Sequence, residues 1–163
     1  MICLYQQEGL EFSGLVSEVL KRLYNLSTIR AAEFKIPKET FNPLRNQYDA
    51  SQIIVHLNEH YDKQCDKHLL LVDIDLYTPR FNFIFGLAEP HKGAAIVSLY
   101  RLTGNDLIKQ RLAKEVVHEV GHLLGLSHCS IATCVMHFSN TIDDTDKKNI
   151  NLCDKCRRKI EGL

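Results

Sequence analysis

Two histidines four residues apart are the residues of this chain that most clearly point to chemistry. His118 and His122 would lie one turn apart on one face of a helix, where both imidazoles can reach one metal ion. Glu119 stands beside them as a carboxylate that could accept a proton. Gly125 can adopt the left-handed conformation that ends a helix, and this turn would return His128 as a third ligand. Three protein ligands leave the fourth tetrahedral position of zinc to water, which predicts a catalytic zinc site.

This segment resembles the metzincin signature, the zinc-peptidase motif that carries a third histidine beyond the helix. Every diagnostic position is present: His118, Glu119, His122, Gly125 and His128. The resemblance implies a metallopeptidase in which Glu119 activates a zinc-bound water for attack on a peptide bond. The alternative is a chance pair of helical histidines, which leaves the other positions of the longer motif without an explanation.

Four cysteines follow the third histidine at spacings that suit a second zinc ion. They are Cys129, Cys134, Cys153 and Cys156, and the last two form a Cys-x-x-Cys pair. Four thiolates make a closed tetrahedral site, which is structural rather than catalytic. Two disulfides, or buried thiols acting as small apolar residues, are the open alternatives. We expect two zinc ions per chain, one catalytic and one structural.

The histidines and cysteines together resemble the archaemetzincins, a metzincin branch in which the first of four zinc-binding cysteines directly follows the third histidine. The resemblance continues in residues 72–79 and 82–88 and covers nearly the whole chain. It implies that Met136 belongs to the Met-turn, an apolar floor beneath the zinc. It also implies an antiparallel edge strand that pairs with an extended peptide, although these residues could form a plain hairpin. The residues predicted to contact the peptide are Asn82, Phe83, Ile84, Phe85 and Gly86.

Four further residues are predicted to have no part in binding zinc. Phe138 stands two residues after Met136, where some metzincins carry a tyrosine that reaches the zinc or the transition state. It has no hydroxyl, so the stabiliser of the oxyanion is not identified by the sequence. We expect His137 at the surface or beside the ligands, because three histidines already satisfy the metal. Cys3 and Cys65 lack partners at ligand spacing and are expected in the core or as surface thiols.

Alternating strand and helix patterns predict an α/β (α+β) fold with a mixed, twisted and largely parallel sheet. Strands are predicted at residues 2–5, 28–36, 69–76, 81–88 and 94–99, and helices at residues 10–26, 50–62, 106–124 and 145–160. Asp49 or Ser51 could cap the second helix, and Asn105 or Asp106 could cap the long helix that carries the zinc histidines.

The length and charge of the chain restrict the class of protein. Its 163 residues suit one domain over residues 1–163, with an upper part to about residue 125 and a small, helical, cysteine-rich lower part from about residue 126. Twenty basic and twenty acidic residues balance, which argues against a nucleic-acid partner. No apolar run is long enough for a membrane span. We expect a cytoplasmic monomer, since no signal peptide is visible and a strand beginning at residue 2 leaves no room for a pro-segment.

The sequence therefore predicts a cytoplasmic zinc metallopeptidase that cleaves short or unfolded peptides. The alternative is a non-catalytic zinc protein that captures peptides or regulates a partner. The intact Glu119 argues against that alternative, because binding alone needs no general base.

Overall fold

The predicted alternation of strands and helices is confirmed in a computed structural model, which describes residues 1–61, 63–104 and 106–162. In chain order the elements are β1 (Ile2–Gln7), α1 (Ser13–Tyr24), β2 (Thr28–Phe34), β3 (Phe41–Asn42), β4 (Gln47–Asp49), α2 (Ala50–His60), β5 (Lys67–Val72), β6 (Leu76–Thr78), β7 (Phe81–Ile84), β8 (Gly86–Glu89), β9 (Ala94–Ser98), α3 (Ile108–Leu123), α4 (Ile142–Lys147) and α5 (Asp154–Glu161). Among the described residues, no helix is both long and apolar enough to cross a bilayer.

The main sheet has five strands in the order β2-β1-β5-β9-β8. β1 pairs in parallel with β2 and β5, and β5 pairs in parallel with β9. β8 pairs antiparallel with β9 and forms one edge of the sheet. The mixed, largely parallel sheet predicted from the sequence is therefore confirmed.

Helices cover both faces of this sheet, because alternate side chains of its central strands point to opposite sides. In β5, Leu69 and Leu71 belong to the core that α1 and α3 complete, whereas Leu70 and Val72 belong to the core under α2. Full burial of one leucine side chain is worth about 2 kcal/mol, so each face of β5 anchors a helix firmly. The helix α3, which carries the zinc motif, is thus held against a rigid support.

A second sheet, with the order β3-β4-β6-β7, was not predicted. The predicted strand over residues 69–76 is wrong beyond Val72, since Leu76 begins a strand of this second sheet. The predicted strand over residues 81–88 is also wrong as one element. It divides at Phe85 into β7, which pairs with β6, and β8, which pairs with β9. A continuous apolar run gives no sign of where a chain passes from one sheet to another.

One of the two predicted helix caps is confirmed. Asp49 caps α2, and its Oδ1 accepts hydrogen bonds from the amides of Ser51 at 3.0 Å and Gln52 at 3.2 Å. For the long helix, Asn105 lies outside the described residues, and the prediction of Asp106 as the cap is wrong. The residue before α3 is Leu107, which makes no side-chain capping bond.

The single last helix predicted over residues 145–160 is wrong. Two short helices, α4 and α5, occupy this region, and the chain between them is extended at Lys148 and Cys153. A capping box between Thr141 and Asp144 starts α4. The break has a physical reason: Lys148 turns inward to a buried acidic partner, and Cys153 must leave the helical path to join the other cysteines.

Cys3 and Cys65 lie in the core, which is one of the two predicted locations, but the expectation that they are thiols is wrong. They form a disulfide that joins β1 to the segment before β5, with Cα atoms 5.6 Å apart. The two positions are separated by 62 residues, so their spacing along the chain carries no sign of their proximity. Parallel pairing of β1 with β5 brings them together.

Candidate active site

Each of the two histidines on helix α3 is oriented by a hydrogen bond from its ring to a backbone carbonyl. His118 Nδ1 donates a hydrogen bond to the Val135 carbonyl at 2.8 Å, and His122 Nδ1 donates to the Leu126 carbonyl at 2.7 Å. Since a carbonyl can only accept, these nitrogens carry the protons. In the neutral ring the Nε2 atom is then unprotonated, and the Nε2 atoms of the two histidines face each other at 3.1 Å.

The turn at Gly125 brings the third histidine to the same point. Gly125 has a φ of 89°, in the left-handed region predicted for it. The Leu126 amide donates to the Gly121 carbonyl at 2.9 Å and closes the end of the helix. The His128 ring centroid then lies 5.2 Å from that of His118 and 4.7 Å from that of His122.

The three imidazoles fit a zinc ion. Their ligand nitrogens all lie within 4.8 Å of one another. Two lone pairs facing each other at 3.1 Å repel unless a cation lies between them, and two tetrahedral Zn–N bonds span about 3.3 Å. Hydrogen bonds from Nδ1 to carbonyls are the usual means of orienting metal-binding histidines.

The surroundings of the three histidines lower their pKa values. The pKa of His118 is lowered to about 2, mainly by burial and also by the positive charge of Lys148. Burial also lowers the pKa of His122 and that of His128. All three rings are therefore neutral at pH 7, which is the state that binds a metal ion.

Glu119 is a carboxyl group in apolar surroundings. Its pKa is raised to about 8, mainly by burial and also by the nearby negative charge of Glu115, while Lys148 acts in the opposite direction. A group with a pKa near neutrality can both accept and return a proton. Gly86 of β8 lies directly against this side chain: a β-carbon there would fall 2.8 Å from Glu119 Oε1.

A cleft of about 310 Å³ opens in front of the histidines. One wall consists of β7, β8 and the residue between them, and the opposite wall follows Met136. The cleft is lined by Thr78, Phe81, Phe83, Ile84, Phe85, Gly86, Leu87, Ala88, Glu115, His118, Glu119, His122, His128, Phe138, Ser139 and Asn140. Of the five predicted peptide contacts, the structure places Phe83, Ile84, Phe85 and Gly86 here. Asn82 lies outside the lining, and its carbonyl accepts hydrogen bonds from Arg45 and Gln47.

The loop after His128 forms the floor and the far wall of the site. Met136 is fully buried and packs against Gly121 of α3, where a β-carbon would overlap its sulfur. Phe138 places its ring edge-on to His128, with centroids 5.1 Å apart. His137 is not part of the three-nitrogen cluster, and its Nδ1 lies 2.9 Å from the Cys129 carbonyl oxygen.

The four cysteines converge beside the histidine site. Their sulfurs lie within 4.8 Å of one another, and within the described residues none of the four is in a disulfide. Cys153 Sγ is 3.7 Å from Cys129 Sγ. A hydrogen bond from the Cys156 amide is the main cause that lowers the pKa of Cys153 to about 7. Four clustered sulfurs, one of them close to ionisation at neutral pH, fit a structural zinc site.

Three residues near the site were missed by the sequence reasoning. Glu115 and Ser139 line the cleft, and Lys148 pairs with Glu115 beneath it. Glu115 could have been found, since it lies one helical turn before Glu119 on the same face. Lys148 and Ser139 could not, because a single lysine or serine in a polar segment carries no pattern. The Ser139 hydroxyl is buried without a hydrogen-bond partner in the described part of the chain.

Comparison with known proteins gives a consistent result over most of the chain. The model of peptidase family M54 matches residues 9–162. The archaemetzincin of Saccharolobus solfataricus is 43% identical over 136 residues, which are 78% of this chain and 73% of the relative. The archaemetzincin of Pyrococcus horikoshii is 47% identical over 130 residues, which are 74% of this chain and 69% of the relative.

Two solved structures extend the likeness to the fold. The crystal structure of archaemetzincin from Methanopyrus kandleri has a TM-score of 0.90 and 31% identity, and the match covers 99% of this chain and 93% of that chain. The structure of a zinc-dependent peptidase from Methanocorpusculum labreanum has a TM-score of 0.85 and 32% identity, with 98% of this chain and 100% of that chain covered.

Proposed function

We propose that this chain, which belongs to peptidase family M54 and is a zinc metallopeptidase, hydrolyses peptide bonds with Glu119 as general base and His118, His122 and His128 as the catalytic zinc ligands. The observation that carries the assignment is the convergence of the three imidazoles. Two of them turn unprotonated Nε2 atoms toward one point, with a buried carboxyl group beside them.

The catalytic roles follow from the state of each side chain. Zinc, when bound, supplies the Lewis acidity that activates water and stabilises negative charge on the substrate carbonyl oxygen. Glu119 accepts a proton from the attacking water and returns it to the leaving amine, a transfer that its raised pKa supports. The three histidines stay neutral, and the Val135 and Leu126 carbonyls fix the orientation of two of them.

The proposed substrate is a short or unfolded peptide bound in extended form. β8 is an edge strand of the main sheet, so its backbone can pair with such a peptide along the cleft. The aromatic rings of Phe83 and Phe85 give this wall an apolar surface for substrate side chains. The cleft is too small for a folded domain.

A second zinc ion is proposed in the sulfur cluster, with Cys129, Cys134, Cys153 and Cys156 as its ligands. It would hold the lower part of the chain, from about residue 126, against the upper part, so that residues 1–163 act as one catalytic unit. We also propose that the protein acts as a monomer in the cytoplasm and binds no nucleic acid.

The test is hydrolysis of an unstructured peptide library by zinc-loaded protein, with products identified by mass spectrometry. The wild type is expected to cleave, and Glu119→Gln is expected to lose activity by about 10³-fold or more while keeping its zinc. Glu18→Gln, a charge change at an exposed site on α1, is the matched control and should cleave as the wild type does. Peptide binding without any product from the wild type would favour the non-catalytic alternative.

A further inference from the structure

A lysine with a fully buried side chain lies behind the active-site helix. Lys148, at the end of α4, places its Nζ 3.0 Å from Glu115 Oε1 on α3, and the exposed fractions of the two side chains are 0% and 4%. The Thr145 hydroxyl donates to the same carboxylate oxygen at 3.0 Å. The ion pair is therefore complete and removed from solvent.

Burial of this ion pair is a poor way to stabilise a fold. Removing two charges from water costs about as much as their attraction returns, and apolar replacements are often as stable. Moreover, α3 and α4 are already joined by Arg111 and Asp146 through two hydrogen bonds of 2.8 Å and 2.6 Å. Docking of α4 onto α3 therefore does not explain why a lysine is buried at position 148.

The position of the pair offers an explanation. Glu115 lies one turn before His118 and Glu119 on α3 and lines the cleft. From the other side, Lys148 Nζ reaches the His137 carbonyl at 3.5 Å, a long hydrogen bond. His137 belongs to the loop whose Val135 carbonyl accepts the hydrogen bond from His118 Nδ1. Lys148 thus connects the ligand-bearing helix with the loop that orients one of its ligands.

The chain that follows Lys148 holds the same loop. The Asn149 amide donates to the Thr133 carbonyl at 2.8 Å, and the Val135 amide donates to the Asn151 carbonyl at 3.1 Å. These backbone bonds fix the outer side of the loop, whereas Lys148 fixes its distance from α3. In the described part of the chain, this ammonium group is the charged bridge between Glu115 and the His137 carbonyl.

We propose that Lys148 is a positioning residue of the three-histidine site: by bridging Glu115 to the His137 carbonyl, it holds the loop that orients His118 in register with the active-site helix. The inference rests on the proposed function, since it takes the three histidines to be zinc ligands. It adds a residue that touches neither zinc nor substrate and acts through the carbonyl that orients a ligand.

The experiment measures zinc affinity by competition with a chromophoric chelator, together with kcat and KM. Glu115→Gln/Lys148→Met removes both charges at nearly constant shape and avoids an unpaired buried carboxylate. We expect zinc at the three-histidine site to bind on the order of 10-fold less tightly, the lower end for loss of a group that orients ligands. kcat should fall by a similar factor and KM should change less than about twofold.

The matched control is Arg111→Met/Asp146→Asn, which removes the other ion pair between α3 and α4. It should lower the melting temperature and leave zinc affinity and kcat unchanged. The proposal is overturned if the Lys148 double variant keeps wild-type zinc affinity, or if the control loses as much affinity. Failure of the wild type to cleave any peptide would count against the proposed function, whereas the zinc affinities would still decide the role of Lys148.

Discussion

Gly86 on the edge strand and Glu119 on the active-site helix are in direct contact. A β-carbon added at Gly86 would lie 2.7 Å from Glu119 Cγ and 2.8 Å from Oε1, and 2.9 Å from the Ile96 carbonyl oxygen. The absence of a side chain at position 86 therefore allows the carboxyl group to lie under the strand proposed to bind the peptide. The proposed general base and the proposed peptide-binding strand are therefore in contact at Gly86.

Gly86→Ala should displace Glu119 and reduce kcat on the order of 100-fold, because shifts of about 1 Å in a catalytic group have effects of this size. The fold and the zinc content should be retained, and steady-state kinetics with metal analysis provide the check. Gly14→Ala on α1 is the control, since a β-carbon there meets no atom within 4 Å. Equal kcat in wild type and Gly86→Ala would show that the contact does not position the base.

Glu119 should make the metal-free protein less stable as pH rises. Its pKa is raised from 4.5 to about 8 on folding, so between these values the folded chain keeps a proton that the unfolded chain loses. The contribution to the free energy of unfolding is thus complete below pH 4.5 and declines up to pH 8. In urea titrations with chelator present, the stability of Glu119→Gln relative to wild type should increase across this range. A difference that does not vary with pH would contradict the raised pKa.

The two proposed zinc sites should differ in how much they contribute to the stability of the fold. His122→Ala should release the catalytic zinc and leave the melting temperature of the metal-free fold nearly unchanged, since the sheet and its two cores stand without it. Cys153→Ser should instead destabilise the protein by about 4 kcal/mol or more, because a structural zinc contributes folding energy directly. Calorimetry of both variants tests this contrast, and unchanged melting of Cys153→Ser would argue against the four-sulfur site.

The Cys3–Cys65 disulfide predicts the thiol count of the protein. Of the six cysteines, four should react with a thiol reagent after denaturation in the presence of chelator. Six reactive thiols in protein alkylated at the moment of cell lysis would mean that the pair is reduced in the cell. That result would agree with the proposed cytoplasmic location, where thiols are usually kept reduced.

Local patterns predicted those parts of the site that lie close together in sequence. His118, His122 and Gly125 follow from helix geometry and from the conformational freedom of glycine, and both rules act within ten residues. The apolar face of α3 and the central strand β5 were predictable for the same reason. The helical spacing of the apolar residues in α3 and the continuous apolar run of β5 both indicate burial.

Contacts between distant segments could not be predicted in this way. Cys3 meets Cys65, and Lys148 meets Glu115, because the sheet and the turns after α4 bring them together. The division of residues 81–88 at Phe85 depends on two partner strands that belong to different sheets. The cysteine cluster was predicted from the spacing of its members, which includes a Cys-x-x-Cys pair, and from the resemblance to a known family.

The three-histidine zinc site is tested most directly by a crystal structure of zinc-loaded protein, with anomalous diffraction measured on both sides of the zinc absorption edge. One zinc peak is expected among the Nε2 atoms of His118 and His122 and the ring of His128, with one coordination position open to solvent and Glu119 beside it. A second peak is predicted among the four cysteine sulfurs. Imidazoles that point apart in the zinc-loaded crystal, or a fourth side chain occupying the open position, would contradict the three-histidine zinc site.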